Sequence, residues 1–217
     1  MAHYPVFLDL RGRRCTVIGD GHLAEEKVQG LIAAGAVVTV ISPALSPGLA
    51  AFIEEGRLLH HPRGYQPGDL EGTFLVISCG QAPDVAEAIW QEALERNLLI
   101  NTVDDVPRCG FIAPSIVRRG DLSIAISTGG KAPALAVRLR QWLEAELGDE
   151  YGRFLSLAGS VRAALARRWP DFATRRELWY RLMDSDVLAL LRKGEEEEAA
   201  GRFRDILGVE PEEGEAA

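Results

Sequence analysis

No apolar run in this chain approaches the roughly 18 residues that a membrane-spanning helix requires, so a bilayer protein is not expected. The opening Met1-Ala2-His3-Tyr4-Pro5 has neither a basic stretch nor an apolar one, and no secretory leader is expected. Cysteine is scarce. Cys15, Cys79 and Cys109 are odd in number, far apart and without a C-x-x-C pair. That argues against a disulfide scaffold or a zinc site and predicts a reducing, cytoplasmic setting. Aromatic residues make up only 7% and are not interleaved with bases. With a net charge of −8, this argues against a nucleic-acid partner.

The negative charge is not spread evenly. Residues 184–217 hold eleven acids against four bases, a net of −7, which leaves the rest of the chain almost neutral. The run Glu195 to Glu198 reads as a solvated helix face. Arg108 to Arg140 is the opposite: Arg108, Arg118, Arg119, Lys131, Arg138 and Arg140 face the single acid Asp121. A local excess of positive charge of this kind attracts an anionic small molecule.

Residues 1–113 alternate strand and helix signals. Pro5-Val6-Phe7-Leu8 and Cys15-Thr16-Val17-Ile18 read as strands, followed by a helical pattern from Leu23 to Ala34 that stops at Gly35. Val37 to Ile41 is a continuous apolar strand, Pro47 to Glu55 a helix, Arg57 to His60 a weak strand and Thr73 to Ser78 a strong one. Ala82 to Arg96 is helical and Leu98 to Val103 a strand. Strands separated by helices imply βαβ units and a parallel sheet, an α/β fold of Rossmann type. After residue 113 the texture changes. Phe111-Ile112-Ala113 and Leu122 to Ser127 read as strands, and Pro133 to Leu147 as a helix with Leu135, Leu139, Trp142, Leu143 and Leu147 on one face. Everything from Tyr151 onward is helical, ending in an acidic tail. The expected organisation is 1–113, a nucleotide-binding domain; 114–148, a connecting segment; and 149–217, a helical domain with its tail.

Gly19-Asp20-Gly21-His22-Leu23-Ala24 satisfies G-x-G-x-x-[GA] in the right place, after a strand and at a helix start. Gly19 permits the tight turn, Gly21 lets the backbone approach a pyrophosphate, and Ala24 lets helix and strand pack closely. The helix N-terminus supplies open N–H groups for phosphate. The acid that usually binds the ribose hydroxyls, some 20 residues on, is missing. That place reads Ile41-Ser42-Pro43-Ala44, where Ser42 or backbone groups could substitute. No Arg stands there to hold a 2′-phosphate, so NAD is favoured over NADP. Cys79-Gly80 ends a strand at the same edge and could line the nucleotide cleft, although close packing of small residues explains it more simply. Ser127-Thr128-Gly129-Gly130-Lys131 leads into a helix opened by Pro133, a natural carboxylate site of hydroxyls, N–H groups and a lysine. It lacks the spacing of a nucleotide P-loop. Arg118, Arg119 and Arg138 are lesser candidates. His60-His61 has no acidic partner in metal-ligand spacing, and Cys109 has no His partner for nucleophilic catalysis.

Several segments taken together resemble one family. These are Pro5 to Leu10, Val17 to Lys27, Gly35 to Val40, Asn101-Thr102-Val103-Asp104, Phe111-Ile112-Ala113-Pro114-Ser115 and Ile126 to Pro133. In this order and spacing they are similar to the precorrin-2 dehydrogenase/sirohydrochlorin ferrochelatase family, including the N-terminal part of multifunctional sirohaem synthases. The resemblance implies NAD-dependent oxidation of precorrin-2 to sirohydrochlorin, in some members followed by insertion of ferrous iron as substrate. It also implies a homodimer with the connecting segment exchanged as a dimerisation element and the helical domain closing over the cleft. The methylation steps would belong to another protein. Asp104 matches the family's catalytic aspartate. His22 and Leu23 match positions that contact the cofactor after the glycine turn, and Pro43 and Ala44 those after the next strand. Two departures stand out: His22 where many relatives have an acid, and Asp105, which doubles the carboxylate and leaves open which acid points inward. A dehydrogenase without chelatase activity, and a non-enzymatic NAD-sensing module, are the alternatives.

Overall fold

A computed structural model describes residues 3–210; the acidic stretch from 211 lies outside the described residues. The chain divides into two compact units, one running to Ala113 and one beginning at Pro114.

In the first unit, strands and helices alternate as β1 (Arg14–Ile18), α1 (His22–Ala33), β2 (Val37–Ile41), α2 (Pro47–Glu54), β3 (Leu58–His61), β4 (Leu75–Ser78), α3 (Pro83–Glu95) and β5 (Leu99–Thr102). All strand pairings are parallel and the order across the sheet is β3-β2-β1-β4-β5. Connections therefore run outward in one direction from β1 to β3, and in the other from β4 to β5. Between β1 and β4 the direction reverses, which opens a crevice at their carboxyl ends.

Local chemistry explains these elements. The strand residues are β-branched and apolar, as a sheet covered on both faces demands. On one face Val17, Val38, Val40 and Ile77 pack with Ala24, Val28 and Leu31 of α1 and Leu49 of α2. On the other, Ile18, Ile41, Val76 and Ile100 meet Ile89 and Ala93 of α3. Burying each such side chain contributes about 1.5–3 kcal/mol before conformational entropy is subtracted. Pro47 and Pro83 open α2 and α3, where a missing N–H does no harm.

Two expected strands do not form. Residues 3–10 have no regular structure, and Val6 and Phe7 are exposed; only Leu10 joins the core. A four-residue apolar run cannot specify a strand without a neighbour to pair with, and no strand among the described residues lies beside it. Phe111-Ile112-Ala113 is also irregular. Gly110 and Phe111 both donate to the Ile100 carbonyl (2.8 and 3.3 Å), turning the chain back on β5. Pro114, which has no N–H for a ladder, delays the next strand to Ser115.

The second unit begins with an antiparallel hairpin of β6 (Ser115–Arg119) and β7 (Leu122–Ile126), joined through Gly120 at φ +54°. α4 (Pro133–Glu146) follows, then α5 (Glu150–Arg168), α6 (Phe172–Met183), α7 (Val187–Lys193) and α8 (Glu196–Leu207). Val161, Leu165, Leu182, Val187, Leu191, Phe203 and Leu207 form the core of this bundle. Phe154 and Phe203 meet with ring centroids 5.5 Å apart. Asp171 caps α6 by accepting from the Thr174 backbone N–H at 2.7 Å. Gly194 and Gly208 close α7 and α8 in the left-handed conformation. No helix among the described residues is long and apolar enough to cross a membrane.

Candidate active site

The carboxyl ends of β1, β2, β4 and β5 bring most of the expected residues to one sheet edge. After β1, Gly19 adopts φ +115°, and a Cβ there would lie 2.2 Å from the Cys79 carbonyl oxygen. Only glycine lets the turn pass over the end of β4. Gly21 (φ +85°) is the N-cap of α1, and a Cβ on it would meet nothing within 4 Å. The space it leaves is open, the helix start has no side-chain cap, and the first N–H groups of α1 are therefore available to an anion. His22 and Leu23 are both exposed at this start.

After β2, Ser42 is buried. Its N–H donates to the His61 carbonyl (3.2 Å), and its own carbonyl pairs with His60 Nε2 (2.9 Å). Pro43 and Ala44 are exposed beside it. After β4, the Cys79 N–H donates to the Ile18 carbonyl (2.8 Å), and Gly80 turns at φ +62°. Burial pushes the Cys79 thiol up to about 11; the Lys27 charge pulls it down and the Asp104 charge raises it. Cys79 is thus a small buried residue between two charges.

At the end of β5 the backbone turns through Asp104, whose φ is +63°. The Asp105 N–H closes this turn on the Thr102 carbonyl at 3.1 Å. A non-glycine residue with positive φ is uncommon, and Asp is one of the few that tolerate it. The two acids then part. Asp105 accepts from Arg108 Nη1 at 2.6 Å, and the Arg108 Nε donates to Glu87 at 2.7 Å. The Asp104 side chain is exposed, with no hydrogen bond or ion pair among the described residues.

Two features escaped the sequence reading. The hydroxyls of Ser78 and Thr102 are buried without a hydrogen-bond partner, on register-paired positions at the ends of β4 and β5. An unmet buried hydroxyl costs about 1–3 kcal/mol, so a polar ligand group or water at this edge is chemically favoured. The signal was available, since both stand where apolar residues would otherwise finish a buried strand. The second is Gln81, whose Nε2 donates to the Cys79 carbonyl at 2.8 Å and to the Ile18 carbonyl at 3.4 Å, across the crevice. A side-chain amide reaching back to two carbonyls leaves no sequence pattern. The open cradle at Gly21, the uncapped helix start and the orphaned hydroxyls fit a dinucleotide.

The Ser127–Lys131 loop belongs to the second unit. Ser127 Oγ accepts from Gly129 N (3.1 Å) and Thr128 Oγ1 from Ala132 N (3.3 Å), which leaves each hydroxyl its proton to donate. Gly129 and Gly130 take φ of +61° and +76°. Lys131 is exposed and makes no ion pair among the described residues. The other bases differ in use. Arg119 donates to the Leu147 carbonyl (2.6 Å) and the Glu144 carbonyl (2.7 Å) at the end of α4. Arg140 pairs with Glu144. Arg118 and Arg138 make no ion pair among the described residues.

Comparison with known proteins follows the same division. A family model described as "Putative NAD(P)-binding" matches residues 6–115, one for the sirohaem biosynthesis protein central region matches 119–146, and one for the sirohaem synthase dimerisation region matches 150–207. The chain belongs to the "Putative NAD(P)-binding" family that the first of these models describes. Siroheme synthase from Photobacterium profundum is 36% identical over 217 residues, covering 100% of this chain and 46% of that protein. Siroheme synthase from Methylobacillus flagellatus is 39% identical over 207 residues, covering 95% of this chain and 44% of that one. The chain thus spans less than half the length of these relatives. The solved structure of SirC, precorrin-2 dehydrogenase, matches with a TM-score of 0.77 at 24% identity, covering 94% of this chain and 100% of SirC. At that identity it establishes the shared fold.

Proposed function

We propose that the chain oxidises precorrin-2 to sirohydrochlorin with NAD, with Asp104 as the base. The observation that carries this reading is an uncommitted carboxylate at the same sheet edge as the glycine turn, with only β4 between their strands. The open N–H groups at the start of α1 would hold the pyrophosphate over Gly19 and Gly21, with His22 and Leu23 beside it. Ser42, Pro43 and Ala44 would line the adenosine end, and Cys79 and Gly80 the crevice toward β4. Bound NAD supplies the hydride acceptor. Asp104 takes the proton that leaves a neighbouring carbon, so that the tetrapyrrole loses two hydrogens in all. Ser127, Thr128, Gly129, Gly130 and Lys131 would bind the carboxylates of the substrate, with Arg118 and Arg138 adding positive charge.

Ferrous iron insertion into the product is a second activity of this reading. The same carboxylate, having no partner to give up, can accept pyrrole N–H protons as the metal ion enters. A homodimer is part of the proposal. The match to a dimerisation region supports it, as do Leu135, Leu139 and Trp142, which lie exposed on one face of α4 where a second copy would cover them. Three free cysteines suit a cytoplasmic location. The test is absorbance during incubation with precorrin-2 and NAD, repeated with sirohydrochlorin and ferrous iron without NAD. The expected results are reduction of NAD in the first and chelation above the spontaneous rate in the second. Binding of NAD without turnover would favour a sensing module instead.

A further inference from the structure

The acid missing after β2 has a replacement in space. β1 and β2 are neighbours in parallel register, Ile18 beside Ile41, and the Gly19 N–H donates to the Ile41 carbonyl at 2.9 Å. From the middle of the glycine turn, Asp20 reaches into the segment that follows β2, where its Oδ1 accepts the Ser46 backbone N–H at 2.8 Å. This exposed carboxylate keeps its other oxygen without a partner among the described residues. Ser46 Oγ, beside it, is buried and has no hydrogen-bond partner. A second acid faces the same segment: a Cβ on Gly48 would lie 2.6 Å from Glu25 Oε1. The nearby arginine and one of the two histidines at the end of β3 are engaged, while the exposed His61 ring makes no hydrogen bond among the described residues. Arg63, just beyond β3, donates twice to Asp69, both at 2.7 Å, and the His60 ring pairs with the Ser42 carbonyl.

We propose that Asp20 is the residue that reads the adenosine ribose and selects the unphosphorylated dinucleotide. Its second oxygen accepts the ribose 2′-hydroxyl, the role an acid at the end of β2 otherwise fills. Its charge, with that of Glu25, repels a 2′-phosphate for which no unpaired arginine follows β2 or β3 among the described residues. Selectivity is thereby moved from the second strand into the glycine turn itself. The inference rests on the dinucleotide-binding reading above and adds a specificity residue to it.

The test is calorimetric titration of the full chain with NAD and, separately, NADP, in wild type and Asp20→Asn. Asparagine keeps an oxygen for the Ser46 N–H, removes the charge and replaces the oxygen that accepts the ribose hydroxyl with an N–H donor. Wild type is expected to bind NAD about tenfold or more tighter than NADP, and Asp20→Asn to shrink that ratio several-fold, by weaker NAD binding together with tighter NADP binding. A purely structural role would weaken both ligands equally, and an unchanged ratio would overturn the proposal. The wild-type ratio should also fall as salt rises from about 0.05 to about 0.5 M, roughly a threefold shortening of the screening length. A salt-independent ratio would count against the proposal as well. Wild type binding neither dinucleotide would instead sink the dinucleotide-binding reading.

Discussion

Asp105 is tied to Arg108 at 2.6 Å, whereas Asp104, one residue earlier, sits at φ +63° with its carboxylate uncommitted. Neighbours in sequence thus have different duties. The ion pair anchors the segment after β5, and the left-handed turn presents the other acid. Asp104→Ala should lower kcat for precorrin-2 oxidation by about 10²–10⁴-fold, the range for loss of a general base. Asp105→Ala should act mainly through stability, with a far smaller effect on kcat. Steady-state kinetics of the two variants side by side check this. Equal losses would remove the distinction.

The two glycines of the phosphate turn should fail differently. Gly19→Ala places a methyl 2.2 Å from the Cys79 carbonyl, so both stability and NAD affinity should fall, stability by more than about 1 kcal/mol. Gly21→Ala meets no protein atom and bears only the penalty of its positive φ, yet its methyl enters the space proposed above for the pyrophosphate. Its larger effect should be on NAD affinity. Denaturant midpoints and NAD titrations on each variant separate the two cases.

Burial pushes both the Cys15 and the Cys79 thiol from 9.0 to about 11. The folded state therefore holds protons that the unfolded chain releases between pH 9 and 11. This contribution to stability is complete below pH 9 and lost as pH climbs toward 11. Urea midpoints from about pH 8 to about pH 11 should decline more steeply in wild type than in the Cys15→Ala, Cys79→Ala double variant. Parallel declines would show that other groups govern the alkaline limb.

The bases between residues 118 and 138 can be sorted by one pair of variants. Arg119 satisfies the last carbonyls of α4, so Arg119→Met should destabilise the chain by about 1–3 kcal/mol. Lys131→Met should leave stability within about 0.5 kcal/mol and raise KM for the polycarboxylate substrate. If Lys131→Met leaves KM unchanged, the loop is not a carboxylate site.

These contrasts also show where a sequence stops being informative. The alternating apolar strands and helices made the parallel α/β fold legible, because β-branched runs such as Val37 to Ile41 belong in a sheet covered on both faces. The glycine turn was legible because its glycines stand at a strand-to-helix junction in the spacing that a tight turn and an open helix start both require. Pro5 to Leu8 misled because an apolar tetrapeptide says nothing about whether a neighbour exists to pair with. Phe111 to Ala113 misled because the strand signal preceded a proline that delays the ladder. The reach of Asp20 to Ser46, of Gln81 to two carbonyls and of Arg119 to the end of α4 depends on the approach of distant backbone, for which no periodicity exists.

The central claim is that one sheet edge joins a dinucleotide to a catalytic carboxylate acting on a tetrapyrrole. It is tested most directly by following precorrin-2 and NAD together by absorbance, with wild type and with Asp104→Asn. The account predicts equimolar sirohydrochlorin and reduced NAD from wild type, and tight NAD binding with little turnover from the variant. Full turnover by Asp104→Asn, or none by a wild type that binds both ligands, would contradict it.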